Sequence, residues 1–211
     1  MQSSTMMILL ASMVVISAGF AGCTSQAPSA AQVPGTTPAT ISAADTARSA
    51  TWLSAMVLQP SEIPGNFTLV TKHERSASEL SEWALGHGWK EGYSVVYQKN
   101  DPNSPSGTII RQNISVYAGE NATLAVSDTI DGLFAWIKEE NDTNMSVEKL
   151  SIPSIGDASG SLKYADKRDN TGMYVIAFAK NGVFQDIETN GTAEDYETAQ
   201  QLATIAAAKI R

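Results

Sequence analysis

The first apolar positions of the chain show no period. Residues Met6 to Phe20 (MMILLASMVVISAGF) form an uncharged, continuous run, and small residues follow in Ala21-Gly22-Cys23. This is the layout of a secretory leader and its cleavage site. Beyond Cys23 the apolar run stops. Thr24 to Ile41 (TSQAPSAAQVPGTTPATI) is rich in Ser, Thr, Ala and Pro, without charge and without a hydrophobic period. Such a stretch buries too little apolar surface to offset its ordering entropy, so it reads as an extended spacer.

From Ser42 the pattern becomes that of a folded domain. Ala43, Ala47, Ala50, Trp52, Leu53 and Met56 recur at near-helical spacing until Pro60, and Asn66 to Lys72 (NFTLVTK) alternates as a strand. A second helix is expected from Ser76 or Ser78 to Gly86 or Gly88, with Ala77, Leu80, Trp83 and Ala84 as its apolar stripe. Trp89 to Lys99 and Thr108 to Tyr117 read as strands on either side of the loop-like Asn100 to Gly107. The second places Ile110, Ile114 and Val116 on one face and Arg111, Asn113 and Ser115 on the other. The longest helix is expected from Asn121 to Glu140 around Val126, Ile130, Leu133, Phe134 and Ile137. Four strands follow, at Met145 to Leu150, Ser159 to Lys167, Gly172 to Lys180 and Val183 to Thr189, the last two joined by the hairpin signal Asn181-Gly182. A final helix from Thr192 or Asp195 turns Ala199, Leu202, Ala203, Ala206 and Ile210 inward. Strands that come in runs rather than alternating with helices predict an α+β domain, a mostly antiparallel sheet covered by helices.

These boundaries divide the chain into a signal peptide (1–22), a Ser/Thr/Pro/Ala-rich linker (23–48) and one α+β domain (49–211). With 43% hydrophobic and 17% charged residues, the composition is that of a globular chain. The net charge of −8 and the absence of Lys/Arg blocks disfavour nucleic acid as a partner.

Cys23 is the one cysteine, so no disulfide forms within the chain. Phe20-Ala21-Gly22-Cys23 resembles a lipobox, in which the cysteine thiol takes a diacylglyceryl group. Two features depart from the pattern: Phe20 replaces the usual Leu, and no Lys or Arg precedes the apolar run. The other reading of residues 6–22 is an uncleaved membrane helix at the short end of what can span. Either places the domain at the outer face of a membrane.

Candidate chemistry is sparse. His73 and His87 form no ligand pair, so neither a metal nor a cofactor is expected. No serine lies in a Gly-x-Ser-x-Gly elbow. The carboxylate pairs Glu79/Glu82, Asp128/Asp131, Glu139/Glu140 and Asp186/Glu188 fit solvated helix faces and an outer strand, and acid–base work would need the fold to bring carboxylates together. Trp83 and Trp136 fall near helix stripes and are expected in the core. Trp89, Tyr93 and Tyr97 form the one aromatic row that could line a binding surface.

Six of the ten asparagines open an Asn-x-Ser/Thr triplet: Asn66, Asn113, Asn121, Asn141, Asn144 and Asn190. With Ser and Thr at 41 of 211 positions, chance gives about two, which points to a glycosylated surface protein. The segments Leu58 to Phe67, Gly88-Trp89-Lys90-Glu91-Gly92-Tyr93, and Ile155-Gly156-Asp157 with Val175 to Phe184 resemble those of exported archaeal lipoproteins. The order of elements resembles the PsbP/Mog1-type α/β/α sandwich, over about residues 50 to 211. That resemblance implies a non-enzymatic binding or accessory subunit and assigns no functional residue. The sequence therefore points to a lipid-anchored, non-catalytic domain for an unidentified protein or envelope ligand. The alternatives are an envelope hydrolase whose carboxylates converge only in the fold, and an accessory subunit of a membrane complex.

Overall fold

The computed structural model describes residues 52–101, 104–140, 142–168, 171–190 and 193–211. Its centre is a seven-stranded antiparallel sheet of order β1-β2-β3-β7-β6-β5-β4. The strands are β1 (Thr68–Glu74), β2 (Trp89–Asp101), β3 (Ser104–Tyr117), β4 (Met145–Leu150), β5 (Ala158–Asp166), β6 (Thr171–Lys180) and β7 (Val183–Asn190). The helices are α1 (52–56), α2 (Glu82–Gly86), α3 (Asn121–Glu139) and α4 (Ala193–Ala208). The α+β expectation holds, with helices on both faces of the sheet.

The layers follow from strand alternation. On one face Leu53 and Met56 of α1 and Leu202, Ala203 and Ala206 of α4 pack on Ile110, Ile114, Phe178 and Ile187. On the other, Ala122, Ala125, Val126 and Ile130 of α3 pack on Leu162, Val175, Ala177 and Phe184. In β6 both sets of residues are buried, so its sequence is continuously apolar (MYVIAFA). The turn into β7 has Asn181 at φ 50 and Gly182 at φ 78, the left-handed pair that a two-residue hairpin needs.

The irregular segment after α1 runs across the sheet, and polar side chains satisfy its backbone. Gln112 Oε1 accepts the Leu58 N–H at 2.8 Å, and the Tyr97 hydroxyl donates to Leu58 O at 2.6 Å. Lys209 donates to Val57 O at 2.8 Å and pairs with Glu62 at 2.5 Å. A buried strap outside regular structure needs such partners.

Four expectations change. The second helix is broken into a 3-10 turn (Ala77–Glu79) and α2, because Ser81 is itself an N-cap that accepts the Ala84 N–H at 3.2 Å. Strands β2 and β3 extend into the expected loop as one long hairpin. Trp136 lies on the outer side of α3 and is 45% exposed, while the small Ala122 and Ala125 take the close approach to the sheet. Strand β7 is the central strand rather than an outer one, because β3 pairs with it and α3 carries the chain from β3 to β4 at the far edge.

Candidate functional site

Helix α3 packs over β4 to β7 and α2 sits at the end of β2, which leaves part of the sheet face over β2 and β3 uncovered. That face carries polar cross-strand rows. Register partners Ser94, Asn113 and Asp186 are linked side chain to side chain: Ser94 Oγ donates to Asn113 Oδ1 at 2.9 Å, and Asn113 Nδ2 donates to Asp186 Oδ2 at 2.7 Å. In the next row Arg111 pairs with Glu188 at 2.7 Å. Such rows are the sheet counterpart of paired helix positions.

Where this face meets α2 and α3 there is a cavity of about 120 Å³. Ser115, Tyr117 and Asp186 line it from the sheet, Asp128 and Thr129 from α3, and Trp83 from α2. Arg75, just past β1, also lines it. Its N–H donates to Gly92 O at 2.9 Å, and its guanidinium donates to Ser115 Oγ and Glu79 O, both at 3.2 Å. Trp83 stacks on His87 at 4.1 Å and meets the Tyr117 ring edge-on at 5.9 Å, so the aromatic wall is braced from behind.

Asp186 is the unusual member, 8% exposed on the central strand. Burial pushes its carboxyl up to about 7, with Glu188 adding to the rise and Arg75 and the Asn113 hydrogen bond opposing it. Oδ2 takes the Asn113 amide, and no hydrogen bond reaches Oδ1 among the described residues. Burial also raises Asp128, against the pull of His87. Tyr117 is pushed up to about 12 by burial, so its hydroxyl stays protonated. The cavity thus holds one guanidinium, two carboxylates and several hydroxyls, and it can present charge of both signs to a small molecule. A larger depression of about 470 Å³ lies beside α1 and the C-terminus, but Lys209 at its rim is already paired with Glu62.

The structure redistributes the residues singled out from sequence. Trp89, Tyr93 and Tyr97 do not form an exposed row. A register shift between Trp89 and Glu91 turns Trp89 to the α3 face, where its ring packs on the core, while Tyr93 and Tyr97 face the α4 side and Tyr97 is 2% exposed. An accessory subunit docking through that row loses its support. Asn66 is exposed in the turn before β1. The amides of Asn113, Asn121, Asn144 and Asn190 donate instead to Asp186, the His87 carbonyl, Asp142 and the Gly107 carbonyl. Asn141 and Cys23 lie outside the described residues. His73 pairs with Glu79 at 3.3 Å, and among the described residues no three His, Cys, Asp or Glu side chains gather as for a metal.

Sequence reasoning placed Asp186 on a solvated outer strand and passed over Arg75. A partial signal was present: β6 is apolar at every position from Met173 to Ala179, which marks it as an internal strand covered on both faces and puts its hairpin partner β7 beside a covered part of the sheet.

Neither a protein-family model nor a curated protein matches the chain. Among solved structures, the fold is similar to that of the extracellular domain of PknH from Mycobacterium tuberculosis, with a TM-score of 0.55 and 13% identity over 75% of this chain and 94% of that one. At that identity the likeness is one of fold.

Proposed function

We infer that this chain is a non-catalytic binding domain at the outer face of the cell membrane, tethered through its N-terminal segment by a lipid on Cys23, and that it holds a small polar ligand in the cavity under α2 and α3. The observation that carries the reading is Asp186: a largely buried carboxylate in the centre of the sheet has one oxygen paired to Asn113 and the other without a hydrogen bond among the described residues, and the residue lines a cavity together with Arg75 and Asp128. A buried carboxylate with an unpaired oxygen costs stability, and such costs persist where a ligand repays them. The extracellular origin of the PknH domain with a similar fold supports the surface placement. The leader, the spacer and the excess of glycosylation triplets support it too.

A second reading, an envelope hydrolase, draws on the same pair. Asp128 and Asp186 line one cavity, and Asp186, pushed up to about 7, can hold the proton that an acid needs while an ionised Asp128 serves as the base. One experiment separates the two. The full chain in detergent, as wild type and as Thr129→Trp, is incubated with the low-mass fraction of the host's growth medium, and the retained compounds are identified by mass spectrometry. A compound retained by wild type, lost from the cavity-filled variant and recovered unaltered supports binding. Recovery as a cleaved product supports hydrolysis, and retention of nothing removes both readings.

A further inference from the structure

We propose that the ligand of this cavity is a small zwitterion, a free α-amino acid or a molecule of that size carrying one carboxylate and one ammonium group. The proposal deepens the binding reading above and rests on it. Arg75 uses two of its donors on Ser115 and Glu79, and its remaining N–H groups are available to a carboxylate. Asp186 lines the same cavity with Oδ1 unbonded among the described residues, although the residue is 8% exposed. Asp128 stands on α3 at the same cavity. An ammonium group, with three donors, suits both side chains, and its positive charge favours the ionised form of Asp186 against the burial that holds the proton on.

Charge balance decides against simpler ligands. An anion alone would gain Arg75 but face both carboxylates, and a cation alone would gain the carboxylates but face the guanidinium. A zwitterion places each charge beside its opposite. The volume of about 120 Å³ limits the ligand to a few heavy atoms, and the Trp83 and Tyr117 rings give its carbon skeleton an apolar wall.

The test is titration calorimetry on the full chain in detergent, with free L-amino acids as a panel and acetate and methylammonium as single-charge fragments. The proposal expects at least one amino acid to bind while neither fragment binds or competes at equal concentration. Arg75→Gln and Asp186→Asn should each weaken that affinity on the order of tenfold or more, the loss of a charge-assisted pair. Asp128→Asn changes an exposed side chain of the cavity lining, so it disturbs the fold least of the three and should weaken the affinity in the same direction. Thr129→Trp should abolish binding. Acetate or methylammonium binding as tightly as the best amino acid would overturn the zwitterion and leave the cavity as a binding site. The same holds if amino acids fail while a compound from the medium binds in a Thr129→Trp-sensitive way. Amino-acid binding that survives Thr129→Trp lies elsewhere and overturns the proposal.

Discussion

Asn113 and Asp186 stand opposite each other on adjacent central strands, and the Asn113 amide donates to the Asp186 carboxylate at 2.7 Å. The nitrogen that would carry a glycan is therefore the donor that holds the buried acid. Asn113 lies on the face away from Ile114, as two-residue alternation requires, yet its side chain is committed to the network rather than to solvent. Peptide mass mapping of the native protein should find Asn113 unmodified and Asn66, exposed in its turn, carrying sugar. Asn113→Ala should destabilise the domain by roughly 1–3 kcal/mol, because it leaves a buried acceptor without its donor. A glycan on Asn113 in folded protein would contradict the network.

Asp186 makes the stability of the domain depend on pH in an unusual sense. Its folded carboxyl sits at about 7 because burial disfavours the charge and Glu188 adds to that effect. An unfolded aspartate titrates near about 3.9. The folded state therefore keeps a proton that the unfolded state releases, so this group lowers stability progressively as pH rises from about 4 to about 7, and no further above that. Asp186→Asn cannot ionise. Its stability relative to wild type should be near zero at pH 4 and should grow to the order of a few kcal/mol by pH 8. Urea titrations of both proteins at several pH values isolate the term, since the other carboxylates are common to both. Parallel profiles would sink it. If the cavity binds a zwitterion, the same variant gains stability while losing affinity, which is the signature of a residue kept for function.

The fold was legible in the sequence where local rules and tertiary packing agree. The Asn181-Gly182 turn and the α3 stripe of Val126, Ile130 and Ile137 needed only periodicity and backbone conformation. Leu58 and Gly156, in two of the segments singled out from sequence, have structural reasons of the same kind. Leu58 is held by Gln112 and Tyr97, and Gly156 has φ +67 where an added Cβ would lie 2.3 Å from the Ala179 carbonyl. The cavity was not legible, because its members come from four separate elements and the segment after β1 and meet only through strand order. Asp186 looked like a solvated residue because its strand was taken as outer, and that order is set by the long-range pairing of β3 with β7, about which neither strand's pattern says anything. The aromatic row failed for a local reason, the one-residue shift near Trp89, since a single slip exchanges the faces of a strand.

In the proposed lipid anchor Cys23, the one cysteine of the chain, is the acceptor. Cys23→Ser should abolish incorporation of a metabolic lipid label. Label that persists in the variant would remove the lipid anchor and leave the uncleaved helix of residues 6–22 as the tether.

The last prediction concerns the pair of buried glutamines under the strap. Gln112 is 1% exposed and Gln185 0%. Gln112 accepts the Leu58 N–H through Oε1 and donates through Nε2 to Gln185 Oε1, both at 2.8 Å, while Gln185 Nε2 has no partner among the described residues. Gln112→Leu would strand the Leu58 N–H and leave Gln185 with neither end paired in an apolar layer, a loss of roughly 2–5 kcal/mol. Gln185→Leu removes an amide nitrogen that is already unpartnered, but it leaves Gln112 Nε2 only the 3.4 Å contact to the Met56 carbonyl, so the two effects oppose and the change should be small. The double variant Gln112→Leu/Gln185→Leu leaves only the Leu58 N–H stranded. It should be more stable than Gln112→Leu alone by about 1 kcal/mol or more, a coupling energy of the size found between residues in contact. Urea unfolding of the four proteins closes the cycle. Strict additivity would mean that the two amides do not bond each other.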